Sequence, residues 1–522
     1  MHYRNTAWHH LTILALCGIV AACSPAARAD IRLPSIIGDN MVLQGGDMAR
    51  IWGWADAGEE INVNVSWRNT SWTVQAGEDG KWSFRTPVPD GGGPYEMTLK
   101  GKNTVTIKNI LTGEVWVCSG QSNMQWSVKE SANAEREIAA AAYPKIRLFS
   151  VERRVAETPQ DNCTGKWVEC SPETVGGFSA VAYYFGRELH KELGESIGLI
   201  HTSWGGTPAE AWTSPTMLEQ NPVFEPIVTR YKEALADYPK AKKDYDEKME
   251  QWKKDVEKAK TAGTKAPPRP SEPLGPASPW APAGLYNAMI APLTPYTICG
   301  AIWYQGESNA GRAYQYRELF PAMIKSWWRA WPQGDFPFLY VQLANYMQAK
   351  DEPGNSAWAE LREAQLMTLD LPDTGMAVII DIGEADNIHP KNKQDVGKRL
   401  AMWALARTYE RNVVCSGPLY KSMDTKDNKI ILHFDHIGGG LVAKDGEPLK
   451  GFAIAGQDQR FVWADARIEG DTVVVSSDKV AEPVAVRYAW ADNPVCSLYN
   501  KAGLPASPFR TDTWPGVTAD SK

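Results

Sequence analysis

The sequence predicts an α/β protein: a helix-covered, mostly parallel sheet flanked by an N-terminal and a C-terminal β-sandwich-like domain. Three observations carry this. From about Asn109 to Arg411, strand-like and helix-like segments alternate, the texture of βαβ units. Before that block, from Ile31 to about Ile107, short alternating strands are separated by turn clusters, as in a sandwich. After it, from about Asn412 to Ala506, short strands return.

In the first region the strands are Ala49–Trp54, Ile61–Val65 and Trp82–Phe84, with turns at Gly45-Gly46-Asp47, Asp79-Gly80 and Pro89–Gly93. In the central block strands are expected at Val115–Cys118, Ile146–Ser150, Ser196–Ile200, Thr297–Tyr304, Pro337–Leu343 and Met376–Ile382. Helices are expected at Ala132–Ala142, Ala180–Glu192, Tyr314–Arg329, Ser356–Leu369 and Lys391–Thr408, where apolar residues recur at helical spacing. Residues 221–279 interrupt the block. Tyr231–Ala262 is dense in Lys, Glu, Asp and Ala and ends in the Pro-rich stretch Pro267–Pro273. That composition reads as a solvated helix plus a stiff linker, a structural insertion rather than a partner surface. The expected domains are therefore 30–107, 108–411 with its insertion, and 412–522. The last contains strands such as Lys429–Phe434 and Thr472–Ser476.

Residues 1–29 read as an export signal. Arg4 supplies the positive charge, and Leu11–Ala22 is an apolar run too short for a stable membrane anchor. Ala27-Arg28-Ala29 fits a small-x-small cleavage site, whereas Val20-Ala21-Ala22-Cys23 resembles a bacterial lipoprotein box that would leave a lipid on Cys23. Either reading places the mature protein outside the cytoplasm of a bacterial cell, as a periplasmic, secreted or outer-membrane lipoprotein. No other segment reads as transmembrane.

The 522 residues carry a formal charge of −7. Removing Arg4 and Arg28 with the leader makes the remainder more acidic, which argues against nucleic acid or an anionic membrane as the main partner. Of the eight cysteines, six lie beyond the leader, with no zinc-site spacing. Cys163 and Cys170 flank a short loop and are placed to form a disulfide in an oxidising compartment, whereas Cys118 and Cys299 fall in apolar runs and read as buried thiols. The chain has 22 tryptophans. Most suit core packing, and some suit stacking on the apolar faces of sugar rings.

Four segments follow expected strands of the central block, where open parallel sheets build their sites. The first is Gly120-Gln121-Ser122-Asn123-Met124. Ser122 is a candidate nucleophile, although a serine here also suits an N-cap or turn. Met124 occupies the position where an α/β-hydrolase elbow has glycine, which disfavours that fold. The second is Asp386-Asn387-Ile388-His389-Pro390. His389 can act as a general base near neutrality, and Asp386 can hold its Nδ1–H; the alternative is a loop acid and a solvated histidine. The third and fourth are Trp204-Gly205-Gly206-Thr207 and Gln305-Gly306-Glu307-Ser308-Asn309. Glycine N–H groups and carboxamides are donors suited to an oxyanion, while the glycines also suit turns. Only five histidines lie beyond the leader, and their spacing indicates no metal site.

These segments resemble the SGNH hydrolases and, within them, the sialate O-acetylesterase family of carbohydrate esterases. The resemblance spans about Ile31 to Phe509 and includes Leu33–Gln44 and Phe434-Asp435-His436 followed by Gly438-Gly439-Gly440. It implies a flavodoxin-like three-layer catalytic domain and a Ser122–His389–Asp386 triad. It also implies an oxyanion hole drawn from the Ser122 backbone, Gly205 or Gly206, and Gln305 or Asn309, with acetate released from O-acetylated sugars without a metal or other cofactor. The fourth motif departs at one point: the superfamily pattern Gly-x-Asn-Asp is replaced by Gln305-Gly306-Glu307-Ser308-Asn309.

Trp126, Trp204 and Trp303 neighbour these motifs and are candidate sugar platforms; Gln121 and Glu307 are grouped with the substrate-binding residues. The expectation is an exported carbohydrate O-acetylesterase acting first on 9-O-acetylated sialic acid, with acetylated xylan or another hemicellulose as the alternative. A basic cluster beside Ser122 would favour a substrate carboxylate, and an open aromatic groove a polysaccharide. A non-catalytic carbohydrate-binding protein is the rival of another class; it has no need of the serine–histidine–aspartate set.

Overall fold

The computed structural model describes residues 30–521 apart from Asp445 and Glu447; the expected leader, with Cys23, lies outside the described residues. The N-terminal strands are β1 (Val42–Gln44), β2 (Met48–Trp54), β3 (Glu60–Val65), β4 (Ser71–Gln75), β5 (Lys81–Pro87), β6 (Gly92–Lys100) and β7 (Thr104–Gly120). The central block adds β8 (Tyr143–Ser150), β9 (Trp167–Cys170), β10 (Ser196–Ser203), β11 (Gly300–Tyr304), β12 (Phe338–Gln342) and β13 (Thr374–Val378). The main sheet has the order β13-β12-β11-β7-β10-β8-β9. All neighbours are parallel except β9, which runs antiparallel on the edge. Numbered in chain order, the six parallel strands read 2-3-1-4-5-6. That differs from the flavodoxin-like order 2-1-3-4-5, because β10 lies between β7 and β8.

The central strands are apolar on both faces because helices cover both sides: β11 and β12 are buried at every position. The helix Ala180–Leu193 is started by Ser179, whose side chain accepts from Ala182 N–H, and stopped by Gly194 in the left-handed region. It packs against Lys393–Arg407. On the other side Ala313–Ala330 packs against Ala357–Met367.

The boundary expected at 107/108 falls inside β7, a 17-residue strand. Its first half pairs antiparallel with β6, and its second half is the centre of the parallel sheet. The two regions share one continuous core. Sequence texture changes here because the pairing changes along one strand, not because a linker intervenes.

The insertion forms a 38-residue helix, Glu225–Ala262, in which only Ile227 and Ala259 are buried. The Pro-rich segment returns along it, with Trp252 Nε1 donating to Pro267 O at 2.9 Å. The C-terminal region holds two four-stranded antiparallel sheets around its own core of Ile430, Leu432, Ile454, Val473, Val486 and Phe509. Arg362 joins it to the central block, donating to the carbonyls of Leu343, Ala344, Ala491 and Asp492. The six described cysteines are free thiols, so the expected Cys163–Cys170 bridge is absent. Cys170 is buried, and its thiol contacts Ala141 O instead. No helix among the described residues is long and apolar enough to cross a membrane.

Candidate active site

Strand register gathers the motifs. Gly120 pairs with Ser203 on one side and Tyr304 on the other. The three strands therefore end level, and the loops beginning at Gln121, Trp204 and Gln305 emerge side by side. Gly120 has φ +140°, and a Cβ there would lie 2.1 Å from Tyr304 O; only glycine lets β7 end so close to β11. Ser122 then opens the short helix Ser122–Gln125.

The loop after β13 reaches across the sheet and brings His389 Nε2 to 2.9 Å from Ser122 Oγ. The imidazole stacks on Trp126, with centroids 4.8 Å apart and planes 18° off parallel. Asn387 fixes the backbone around it, accepting from His389 N–H at 3.0 Å and donating to His389 O at 2.9 Å. Burial holds the His389 pKa below the ordinary imidazole range; the Lys393 ammonium lowers it further, and the Glu130 carboxylate opposes both.

The third expected member of the triad is placed differently. Asp386 is exposed and makes no hydrogen bond to His389. Three residues of separation permit contact but do not require it. Here Asn387 closes the turn by bonding to Glu384 and to the His389 backbone. No carboxylate among the described residues is hydrogen-bonded to His389; Glu130, whose carboxylate accepts from the Ser127 N–H and hydroxyl, reaches it only through its charge.

Beneath Ser122 lies a buried polar network. Asn123 Nδ2 donates to Glu307 Oε1 at 2.6 Å and to Ile388 O at 3.1 Å, while its Oδ1 accepts from Lys393 Nζ. Lys393 is fully buried, with Nζ 5.3 Å from the Tyr304 ring. Burial depresses its pKa to about 7, against the pull of the Glu307 and Glu384 carboxylates. Burial also raises the Glu307 carboxyl, whose Oε2 has no hydrogen-bond partner among the described residues.

The donors sort themselves by what they already bind. Gln305 Nε2 donates to Asn309 Oδ1 at 2.6 Å and to Thr207 O at 3.3 Å. Asn309 Nδ2 donates to Glu210 at 2.9 Å. Both residues are buried in this network, so neither matches the role of an oxyanion donor. Gly205 N–H donates to Gln125 Oε1 at 2.8 Å. A Cβ on Gly205 would sit 3.2 Å from Ser122 Cβ, so the bare backbone lets the two loops meet. The N–H groups of Ser122 and Gly206 have no acceptor among the described residues, which makes them the available oxyanion donors.

The expected substrate residues divide. Gln121 is buried, and its Oε1 accepts from Gly306 and Ser308 N–H; it braces the loop after β11. Trp303 is fully buried among Trp212, Phe320 and Trp327. It cannot stack on a sugar, because β11 is covered on both faces. Glu307 serves the network under Ser122. Trp126 stacks on the His389 imidazole, and Trp204 is partly exposed under the guanidinium of Arg153. Sequence reasoning missed Asn123, Gln125, Glu130, Arg153 and Lys393 as parts of the site. Asn123 and Gln125 stood beside the serine, and that adjacency was a usable signal. Lys393 opens a helix whose sequence reads like any other charged helix start, and nothing local marks Arg153.

Comparison with known proteins identifies the family. A family model described as carbohydrate esterase, sialic acid-specific acetylesterase, matches residues 112–259 and 276–406. The sialate O-acetylesterase of Rattus norvegicus is 32% identical over 95% of this chain and 97% of its own length. That of Homo sapiens is 31% identical over 94% and 95%. A solved carbohydrate acetylesterase from Xanthomonas citri is 38% identical and superposes with a TM-score of 0.78, covering 93% of this chain and all of that one. With its family model and full-length relatives in agreement, this chain belongs to the sialic acid-specific acetylesterase family of carbohydrate esterases.

Proposed function

We propose that this carbohydrate O-acetylesterase is an SGNH-type serine hydrolase that uses Ser122 as nucleophile and His389 as its base, with 9-O-acetylated sialic acid as first substrate. The observation that carries the mechanism is the 2.9 Å contact between His389 Nε2 and Ser122 Oγ. At that distance the neutral imidazole takes the hydroxyl proton as Oγ attacks the acetyl carbonyl. The oxyanion meets the free N–H groups of Ser122 and Gly206. Collapse expels the sugar hydroxyl, protonated by His389, and leaves an acetyl-Ser122. Water, deprotonated by the same imidazole, then releases acetate. A depressed His389 pKa suits this role, because the base is neutral at pH 7. The sialate assignment is supported by relatives named sialate O-acetylesterase.

The test is acetate release by the purified protein from 9-O-acetylated sialic acid and from acetylated xylan, with Ser122→Ala as control. Ser122→Ala is expected to lower kcat by about 10⁴-fold or more. Wild-type-like release by that variant would end the mechanism. Turnover of xylan alone would move the substrate to hemicellulose.

A further inference from the structure

Arg153 stands unpaired at the mouth of the site. It is exposed, and no carboxylate lies within ion-pair distance of it among the described residues. The structure nevertheless holds its guanidinium in place on two sides. Its Cζ lies over the Trp204 ring, 5.6 Å from the centroid, and Nη1 donates to Gln125 Oε1 at 3.4 Å. Gln125 is three residues beyond Ser122, on the same helical turn. Its Oε1 also accepts from Gly205 N–H, and Gly205 abuts Ser122. Arg153, Gln125, Gly205 and Ser122 thus form one unbroken chain of contacts. In this chain the aromatic face and the carboxamide orient a cation whose remaining N–H groups are free.

A guanidinium held over an aromatic face keeps its remaining N–H donors available to a ligand. Bidentate recognition of a carboxylate is what that geometry suits best, and such charge-assisted pairs are stronger than neutral hydrogen bonds. A surface arginine with no functional demand is usually paired or free to move; this one is held by Gln125, three residues beyond Ser122, and by Trp204, next to Gly205.

We propose that Arg153 is the specificity-determining residue of this esterase, binding the carboxylate of an acidic sugar whose acetyl ester lies at Ser122. The inference rests on the Ser122 mechanism above. It names a shared chemistry, a sugar carboxylate, which a sialic acid or a uronic acid can supply. Trp204 acts with it as a positioning residue beneath the guanidinium, and Gln125 holds Nη1.

The experiment compares wild type, Arg153→Gln and Arg153→Lys on charged and neutralised forms of the same substrates. These are 9-O-acetylated sialic acid against its methyl ester, and acetylated glucuronoxylan against the same polymer after carboxyl reduction. 4-Nitrophenyl acetate reports Ser122 chemistry without any carboxylate. Arg153→Gln is expected to raise KM by about tenfold or more on a charged substrate. On its neutral counterpart and on 4-nitrophenyl acetate the loss is expected to be at least about fivefold smaller, so the charged-to-neutral ratio reports the carboxylate contact. Arg153→Lys should recover part of the loss, because it restores charge without the fork. The affected pair identifies the source of the carboxylate.

Equal losses on charged and neutral forms would assign Arg153 a purely structural role and overturn the inference. So would a wild type that does not distinguish the two forms. In either case Ser122-dependent turnover of 4-nitrophenyl acetate would leave the esterase reading standing. Turnover that survives Ser122→Ala would bring down that reading and this inference together.

Discussion

Asn123 donates through Nδ2 to the carbonyl of Ile388 at 3.1 Å. The residue after Ser122 is thereby tied to the residue before His389. Ser122 and His389 come from strands that are three places apart in the sheet, so their 2.9 Å contact depends on such a bridge. Lys393 and Glu307 complete it by saturating the other atoms of the Asn123 carboxamide.

Asn123→Ala is therefore expected to lower kcat by about 10–100-fold with little change in KM, because it loosens the alignment of nucleophile and base without touching substrate. It should also cost about 1–3 kcal/mol of stability, since Lys393 loses a buried hydrogen-bond partner. Steady-state kinetics with urea unfolding checks both. A kcat within twofold of wild type would show that the bridge does not govern alignment.

Asp386 is exposed and unbonded to His389, so Asp386→Asn is expected to change kcat/KM by less than about threefold, as for an exposed charge. A buried triad aspartate costs about 10⁴-fold when made an amide. Measuring kcat/KM for Asp386→Asn beside Glu130→Gln separates the two carboxylates, and a drop of several orders in the former would require the loop to rearrange on binding substrate.

The pH profile follows from the charges around His389. The base must be neutral, so kcat/KM falls as pH drops through its pKa, which burial and then Lys393 hold below 6.5. Lys393 itself titrates near 7 and is charged across that range. Lys393→Met removes a cation that disfavours imidazolium, so the acidic limb should move to higher pH. Glu130→Gln removes an anion that favours imidazolium, so the limb should move to lower pH. Shifts of the same sign in both variants would contradict this arrangement.

Trp303→Ala is expected to destabilise the protein by about 3–5 kcal/mol, the cost of emptying a large aromatic site in a core, and to leave KM unaltered under conditions where the variant is folded. A raised KM with unchanged stability would instead return Trp303 to the substrate.

The α/β texture, the flanking strand-rich regions and the motifs around Ser122 and His389 were legible in the sequence, because each rests on local periodicity or on residue type within a few positions. Ser122 and His389 could be singled out as candidates because a hydroxyl and an imidazole are residue types suited to a nucleophile and a base, and the structure brings the two within 2.9 Å. Three-dimensional packing decided the rest. The unbroken run of β7 through the expected domain boundary depends on which neighbour each half of the strand pairs with. The burial of Trp303 and the inward bonding of Gln305 and Asn309 depend on helices far away in sequence. The sequence offered Asp386 as the partner of His389, but a turn closed by Asn387 leaves it in solvent. Glu130, Lys393 and Arg153 reach the site only through tertiary contacts, for electrostatic interaction depends on distance in space, and spacing along the chain carries that information only within a single loop or turn.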